Sequence, residues 1–296
     1  MPLFEVETVG ELLSAIASAH ETPDIESEIH LMRRVYTLEQ PQSFQPLYGH
    51  SGLFIACSLK IVGQQPNSII QRVPTAPPFR LFFVAGEGAG GQGHLTLENV
   101  TLRGGQAKDG GGLMNVGGIV QTYHSIIEWN QAQDDGGGLL NVGTMQKEAA
   151  MEIRQSTLRN NEAIGEAIGE NTEDGGGGID NDGNKEYGGI GATLQIRESL
   201  LSQNRSRRGA GGGLRNHNGG TAKIKQSQII HNTASFGAGV ANHADLGLPP
   251  EPVTRLELND CWIQNNHGID LQDSAPQGAA TQVLLGDGTQ IGTSNV

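Results

Sequence analysis

Aromatic residues are scarce in this sequence. They make up 4% of its 296 residues, and hydrophobic residues in total make up 36%. A thick globular core needs more large apolar side chains than this, so we expect a thin core built from aliphatic residues. A one-dimensional stack of short units fits such a core better than a globule does.

Cysteines and long apolar runs are also rare. Cys57 and Cys261 lie far apart and in no metal-binding or redox spacing, so we expect two free, buried thiols. No apolar run approaches the ~20 residues of a membrane-spanning helix, and Met1–Gly10 lacks the features of a signal peptide. We predict no membrane span. We expect an extracellular or cell-surface location if a signal peptide has been removed, and a cytoplasmic one otherwise.

Positive charge is in deficit. The chain has 19 Lys and Arg against 32 Asp and Glu, which gives a net charge of −13. Binding to a phosphate backbone would carry the wrong electrostatic sign, so we predict no nucleic-acid partner. Glycine is abundant, with 44 residues, but it follows no Gly-X-Y period and only 12 prolines accompany it. Collagen is thereby excluded.

Two phrases alternate along the chain, and each ends in asparagine. The first joins a glycine-rich run to an aliphatic residue, one further residue and Asn, and it ends at Asn115, Asn141, Asn181, Asn216 and Asn242. The second places an aliphatic or aromatic residue three positions before Asn, and it ends at Asn130, Asn161, Asn204, Asn232 and Asn265. We interpret these asparagines as structural, because equivalent side chains one coil apart can hydrogen-bond into a ladder.

Segments of alternating apolar residues precede the second phrase, as in Leu95–Leu102 and Met151–Leu158. A period of two indicates strands. Short strands separated by Gly and Asn turns cannot bury an apolar face alone, but stacked copies can. The sequence therefore predicts an all-β fold, namely a right-handed, single-stranded parallel β-helix of the kind found in pectate lyases.

We expect a single domain over residues 1–296. A short capping helix occupies 1–20, where Thr8 and Glu11 have capping-box spacing. Irregular first coils follow over 21–94, with strand-like segments at Ile29–Leu38, Leu53–Gly63 and Phe79–Val84. Regular coils occupy 95–270, and 271–296 forms the C-terminal end. The helix would cover the open first coil, as the ends of solenoids require.

The paired phrases resemble the GGAI and FxxN repeats of chlamydial polymorphic outer-membrane proteins and related bacterial surface β-helix proteins. Similar secreted β-helix proteins also share the opening seen here, a helix followed by Ile29, Leu31, Tyr36 and Leu38. The resemblance covers nearly the whole chain. It implies an adhesin-like or passenger role outside the cell.

Acidic residues precede several glycine runs and raise the possibility of a metal site. Asp134, Asp135 and Asp174, together with Asp109, should fall near one edge of neighbouring coils. Carboxylates are the ligands that Ca²⁺ prefers, so we predict a possible calcium site there, although acidic turn residues are also common at glycine corners. No other cofactor is expected.

A carbohydrate-active enzyme is the alternative, because parallel β-helices also house lyases, glycoside hydrolases and uronate epimerases that act on acidic polysaccharides. An anionic sugar could be clamped by a basic cluster at Arg205, Arg207 and Arg208, unless these are solvated turn charges. His124 and Glu128 lie four apart, which would put an acid and a base on one face of a strand, or leave two exposed residues.

Insertions relative to the shortest coil follow the glycine phrase and emerge at one corner. They cover 144–150, 184–192 and 244–254, and a further one covers 164–171 after the second phrase. Stacked loops in a solenoid often form the binding face. We predict a non-catalytic scaffold that binds a partner protein or surface glycan through these loops, with contacts at Leu248, Pro249, Pro250 and Glu251.

Overall fold

The computed structural model describes residues 1–165, 174–184, 188–244, 253–274 and 280–292. The chain winds into a parallel β-helix, and the strands of successive coils stack into three long sheets and one short sheet. The strand pairs are parallel, apart from one antiparallel pair near the start of sheet 3. The predicted all-β solenoid with one short N-terminal helix is confirmed. No helix in the described ranges is long and apolar enough to cross a membrane.

Sheets 1 and 2 run the length of the solenoid. The ten strands of sheet 1 are β1 (Leu3–Val6), β2 (Ser27–Leu31), β6 (Ser58–Val62), β9 (His94–Glu98), β13 (Ile119–Tyr123), β17 (Ala149–Arg154), β21 (Ala192–Arg197), β25 (Thr221–Lys225), β28 (Thr254–Asn259) and β31 (Thr281–Leu285). The nine strands of sheet 2 are β3 (Val35–Leu38), β7 (Ser68–Arg72), β10 (Val100–Arg103), β14 (Ile126–Glu128), β18 (Thr157–Arg159), β22 (Leu200–Ser202), β26 (Gln228–Ile230), β29 (Trp262–Gln264) and β32 (Gln290–Ile291).

Sheet 3 closes each coil, and a short sheet 4 lies at the corner before it. The nine strands of sheet 3 are β4 (Ser43–Gln45), β5 (Gly49–Ile55), β8 (Arg80–Ala85), β12 (Leu113–Val116), β16 (Leu139–Val142), β20 (Ile179–Asp182), β24 (Leu214–His217), β27 (Val240–His243) and β30 (Leu271–Ser274). The four strands of sheet 4 are β11 (Gln106–Ala107), β15 (Gln131–Ala132), β19 (Glu162–Ala163) and β23 (Arg205–Ser206).

The helix α1 (Val9–His20) packs against strands of the first coils through Leu12 and Ile16. Thr8 caps its N-terminus, since its hydroxyl accepts from the Glu11 N–H while the Glu11 carboxylate accepts from the Thr8 N–H. The predicted capping box is therefore present. The segment 1–20 is not all helix, because β1 precedes α1 and joins the edge of sheet 1.

The first coils turn where the sequence showed continuous strand-like segments. Ile29–Leu38 divides into β2 and β3, and Leu53–Gly63 divides between β5 and β6. The two strands of each segment belong to different sheets, so the apolar run that was predicted as one strand contains a corner of the coil. The last described strands, β31 and β32, continue the same winding, because they add to sheets 1 and 2.

Aliphatic side chains stack along the inside of the solenoid as single files. In sheet 3 one file runs from Leu53 through Phe82, Leu113, Leu139, Ile179 and Leu214 to Val240, all of them buried. Each side chain packs on its equivalents in the coils above and below. This thin aliphatic core is the one that the composition indicated.

Two asparagine ladders line the inside of the solenoid, one within sheet 3 and one at the corner after sheet 2. In the first, Asn115 Nδ2 donates to Asn141 Oδ1 at 2.8 Å, and the chain of bonds continues through Asn181, Asn216 and Asn242 to Asp273. The second ladder runs from Asn130 through Asn161, Asn204 and Asn232 to Asn266, and each hydrogen bond between successive side chains is 3.0 Å long. Asp270 accepts the last one.

The prediction of Asn265 as a ladder residue is wrong, because Asn266 occupies that position. Asn265 is exposed and has φ 58°, like Trp129 and Asn160 at the equivalent corner of earlier coils. The phrase ending here is therefore Ile-Gln-Asn-Asn. The residue before the ladder asparagine, rather than the asparagine itself, takes the left-handed conformation at these corners.

A serine ladder that the sequence analysis missed lies at the corner between sheets 1 and 2. The hydroxyl oxygens of Ser125, Ser156, Ser199 and Ser227 each accept an N–H from the preceding coil at 3.1–3.2 Å. Cys261 takes the next position, with its thiol buried. A serine or cysteine stands shortly before each second phrase, so the signal was present in the sequence.

Candidate functional site on the outer face of sheet 3

The residues on either side of each ladder asparagine in sheet 3 point outward, because side chains alternate along a strand. In β12 and β16 these residues are Met114, Val116, Leu140 and Val142. They join Phe83 and Ala85 of β8 in an apolar cluster on the outside of the sheet, separate from the main core. Half of this outer face is therefore apolar.

The same positions in the next two strands are charged. β20 contributes Asp180 and Asp182, and β24 contributes Arg215 and His217. Asp180 and Arg215 are almost fully buried, with 0% and 2% of the side chain exposed. Burying ionised groups is costly unless they are paired, so each group in this charged cluster requires a partner of opposite charge.

The charged cluster is held together by ion pairs that cross neighbouring strands. Arg215 Nη2 lies 3.5 Å from Asp180 Oδ2, and Arg215 Nη1 lies 3.2 Å from Asp135 Oδ1. His217 Nε2 lies 3.1 Å from Asp180 Oδ1 and 3.9 Å from Asp182 Oδ1. Asp180 is thus contacted by two cationic groups.

These contacts shift proton affinities. Burial and Arg215 both lower the pKa of His217, but Asp180 and Asp182, helped by the Asp180 contact, outweigh them and raise that pKa well above 6.5. Burial, reinforced by Asp180 and opposed by Arg215, raises the pKa of Asp135 well above 3.8. Burial also raises the pKa of Asp109, which lines the adjoining groove. Perturbed carboxyl groups beside a groove are typical of functional sites.

The row of Asp182 and His217 continues into the last coils with His243 and Ser274. His243 Nδ1 and the Ser274 hydroxyl lie 2.9 Å apart. The whole row was missed by the sequence analysis. Its signal was the residue after each ladder asparagine, which changes from Val in two coils to Asp and then to His in two more.

A groove of about 540 Å³ crosses the apolar half of this face. Met114, Val116, Leu140 and Val142 form its floor. One wall carries the carboxylates of Asp109, Asp134, Asp135 and Asp174, and Asp182 lies at the end toward the charged cluster. The opposite wall includes Thr144, Met145, Gln146 and Asn184.

The acidic wall is formed at one corner of three successive coils. Gly110 donates its N–H to the Asp135 carbonyl, and Asp135 pairs with Gly175. The sequence analysis placed Asp134, Asp135 and Asp174 near one edge, and all three line this groove. Lys108 contacts Asp134 Oδ2 at 3.1 Å, whereas the buried Asp134 Oδ1 accepts no hydrogen bond from the described residues.

A smaller pocket of about 430 Å³ adjoins the groove and contains Arg80. Arg80 is buried, and its guanidinium donates to the Ser51 hydroxyl and to the carbonyls of Tyr48 and Asp109. Burial lowers its pKa to about 10. These bonds tie the wall at Asp109 to β5 and β8, so we assign Arg80 a structural role.

Within the described ranges, no group of three or more His, Cys, Asp or Glu side chains is arranged to hold a metal ion. Asp135 is engaged by Arg215 and by the Gly175 N–H. The calcium site thus remains a prediction for Asp134, Asp135 and Asp174.

The structure separates the other proposed catalytic and ligand-binding residues. His124 sits at a corner with φ 49°, whereas Glu128 is buried in β14 between the guanidinium groups of Arg103 and Arg159. The pairing of His124 with Glu128 and the reading of Glu128 as exposed are therefore wrong.

The basic cluster is also engaged within the protein. Arg207 Nε and Nη2 lie 2.6 and 2.9 Å from the Glu162 carboxylate, and Arg205 lies 3.9 Å from it. Arg208 contacts the Gly165 carbonyl at 3.5 Å. This arrangement corresponds to paired surface charge rather than a clamp for an anionic sugar.

Leu248, Pro249, Pro250 and Glu251, predicted as partner contacts, lie outside the described residues. Described residues of two other insertions border the groove. Thr144, Met145 and Gln146 come from the insertion over 144–150, and Asn184 begins the one over 184–192. The corner at which these insertions emerge is therefore a wall of the groove.

No family model matches this chain, and neither a curated protein nor a solved structure matches it. The contacts of the groove and of the charged cluster are therefore the basis for a functional proposal.

Proposed function

We propose that this protein is a non-catalytic binding or structural component that engages an extended partner through the groove on the outer face of sheet 3. The observation that carries the proposal is the apolar floor on the outside of a sheet. Met114 and Leu140 are 4% and 5% exposed, yet they belong to a cluster separate from the core and line an open groove. Outward apolar residues beside a groove are typical of interaction sites.

The walls support the same proposal. Met145 is 72% exposed and Leu47 is 86% exposed, and both line the groove. Large apolar side chains on a rim gain burial when a partner binds. The insertion over 144–150 supplies one wall, as expected if the insertions of this solenoid form its binding face. The resemblance to surface β-helix proteins favours an adhesin-like role outside the cell.

The proposal can be tested by filling the groove. Val142→Trp would place an indole on the floor, and Thr157→Trp places an indole on the outside of sheet 2 in the next coil. We expect ligands from peptide and glycan arrays to bind the unmodified protein and Thr157→Trp, but to lose binding to Val142→Trp. Ligands that bind all three proteins equally would contradict the proposal.

A carbohydrate-active enzyme is the second candidate. The buried carboxyl groups of Asp109 and Asp135 beside the groove favour it, because burial raises the pKa of both and general acids are carboxyl groups with a raised pKa. An acidic polysaccharide would meet like charge along the wall at Asp109, Asp134 and Asp174, so a neutral chain fits better. Release of reducing ends from neutral polysaccharides that is lost in Asp135→Asn would establish this activity.

A further inference from the structure

The chemistry of the groove also specifies its occupant. This inference rests on the proposed function and narrows it. The floor is aliphatic, with Met114, Val116, Leu140 and Val142, and Tyr48 is the one aromatic residue among the described residues that line the groove. A ligand with flexible aliphatic groups gains contact on such a floor, and methionine side chains adapt to varied shapes. Flat sugar rings favour aromatic faces, which are scarce here.

The wall adds charge to this floor. Asp109, Asp134, Asp135 and Asp174 face the groove from one side, within a protein of net charge −13. Lys108 is paired with Asp134. Charge complementarity therefore favours a positively charged occupant and disfavours an acidic one.

Carboxylates along this wall differ in what they already contact. Asp135 is committed to Arg215 and to the Gly175 N–H. Asp134 has one oxygen near Lys108, whose side chain is 71% exposed, and one buried oxygen without a hydrogen bond from the described residues. An ammonium or guanidinium group in the groove would compete with Lys108 for the other oxygen, Asp134 Oδ2.

We propose that the groove binds an extended segment of a partner polypeptide that carries Lys or Arg. The aliphatic stems of these side chains lie on the floor formed by Met114, Val116, Leu140 and Val142. Their cationic groups lie against Asp109 and Asp134. Long basic side chains have this division between an apolar stem and a charged end. The strands that form the floor are spaced ~4.8 Å apart, so a segment crossing them meets a carboxylate in more than one coil.

The test uses the whole chain and three short fluorescein-labelled peptides in which Val alternates with Lys, Glu or Gln. We expect the Lys peptide to bind most tightly by fluorescence anisotropy and to weaken as salt is added. Asp109→Asn with Asp134→Asn should weaken it by about tenfold, because two charge contacts are lost. Glu198→Gln with Glu257→Gln, which removes the same charge away from sheet 3, should leave binding within about twofold.

A charge reversal keeps the test independent of folding. Asp134→Lys should no longer bind the Lys peptide and should bind the Glu peptide instead, whereas a misfolded variant would bind neither peptide. Equal binding of the Lys peptide to the Asp109→Asn, Asp134→Asn protein would overturn the inference.

Other outcomes separate this inference from the proposed function. One outcome is that the binding of a chitosan oligomer or another array ligand is lost in Val142→Trp, while the Lys peptide does not bind at all. In that case the groove is a binding site but the peptide inference is wrong. If no ligand depends on Val142, both are wrong.

Discussion

In β12 and β16 the residues before the ladder asparagine are Met114 and Leu140, whereas in β20 and β24 the same places hold Asp180 and Arg215. The inner residues of these four strands do not change in character, because each contributes one aliphatic residue and one asparagine. Stacking constrains the inside, since each side chain must fit its equivalents in neighbouring coils. The outside is free to vary, so the change from apolar to charged residues marks where function can be encoded.

The largest expected effect comes from removing an ion pair in the charged half of the outer face of sheet 3, which β20 and β24 form. Arg215→Met would leave Asp180, which is 0% exposed, without its main counter-charge, and we expect a loss of about 3–5 kcal/mol in the free energy of unfolding. Arg215→Met combined with Asp180→Leu should recover part of that loss, because the buried Asp180 carboxylate is then removed as well, whereas Asp135 and His217 each still lose a partner. Chemical denaturation measures both variants. A cost below about 1 kcal/mol for Arg215→Met would mean that the ion pairs do not organise this half.

The inner ladders provide the next largest effect and sharpen the contrast between inside and outside. The side-chain oxygen of Asn266 accepts hydrogen bonds from the backbone N–H and the side-chain amide of Asn232, and its own amide donates to Asp270. Asn266→Ala should therefore lower the free energy of unfolding by about 2–3 kcal/mol. Asn265→Gly, one residue away at φ 58°, should change stability by about 0.5 kcal/mol or less. Thermal denaturation of the two variants is the measurement. Similar losses for both would contradict the corrected ladder.

Much of this contrast was available from the sequence. Period-two segments and paired asparagine phrases predicted the solenoid, and repeated Asp residues before glycine runs predicted a shared edge. The ladder residue in the last coil was missed because two asparagines are adjacent at Asn265 and Asn266, and the pattern alone does not tell which one turns inward. The charged cluster was missed because its members lie in different phrases, and their contact follows from the stacking register of the coils.

His217, in the charged half of the outer face, should make stability depend on pH. His217 has a pKa raised well above 6.5, mainly through Asp180 and Asp182 against the opposing effect of burial and Arg215. Its contribution to stability is therefore fully present below pH 6.5 and is lost as the pH rises through the folded-state pKa. We expect the melting temperature to fall over that range. The free energy of unfolding should fall by up to about 1.4 kcal/mol per pH unit.

The control for this prediction is His217→Gln, whose melting temperature should fall less steeply above pH 6.5. Asp135 also has a raised pKa, but its effect begins above 3.8, and it is present in both proteins. The difference between the two pH profiles therefore reports the titration of His217 together with its lowering effect on the pKa of Asp135. Parallel profiles would show that His217 does not exchange its proton in this range.

The smallest expected effect concerns the start of the first ladder, where the inner face itself changes. Asn115 Oδ1 is buried without a hydrogen bond from the described residues, because its neighbour in the preceding coil is Val84. Val84→Asn would place an amide donor beside that oxygen and extend the ladder by one rung. We expect stability within about 1 kcal/mol of the unmodified protein, since the new bond offsets the loss of apolar burial. Val120→Asn is the matched control, because Val120 is also 0% exposed but lies outside both ladders, and it should cost about 2–4 kcal/mol. Equal losses for the two valines would mean that an asparagine on the inner face is stabilised by something other than the asparagine in the next coil.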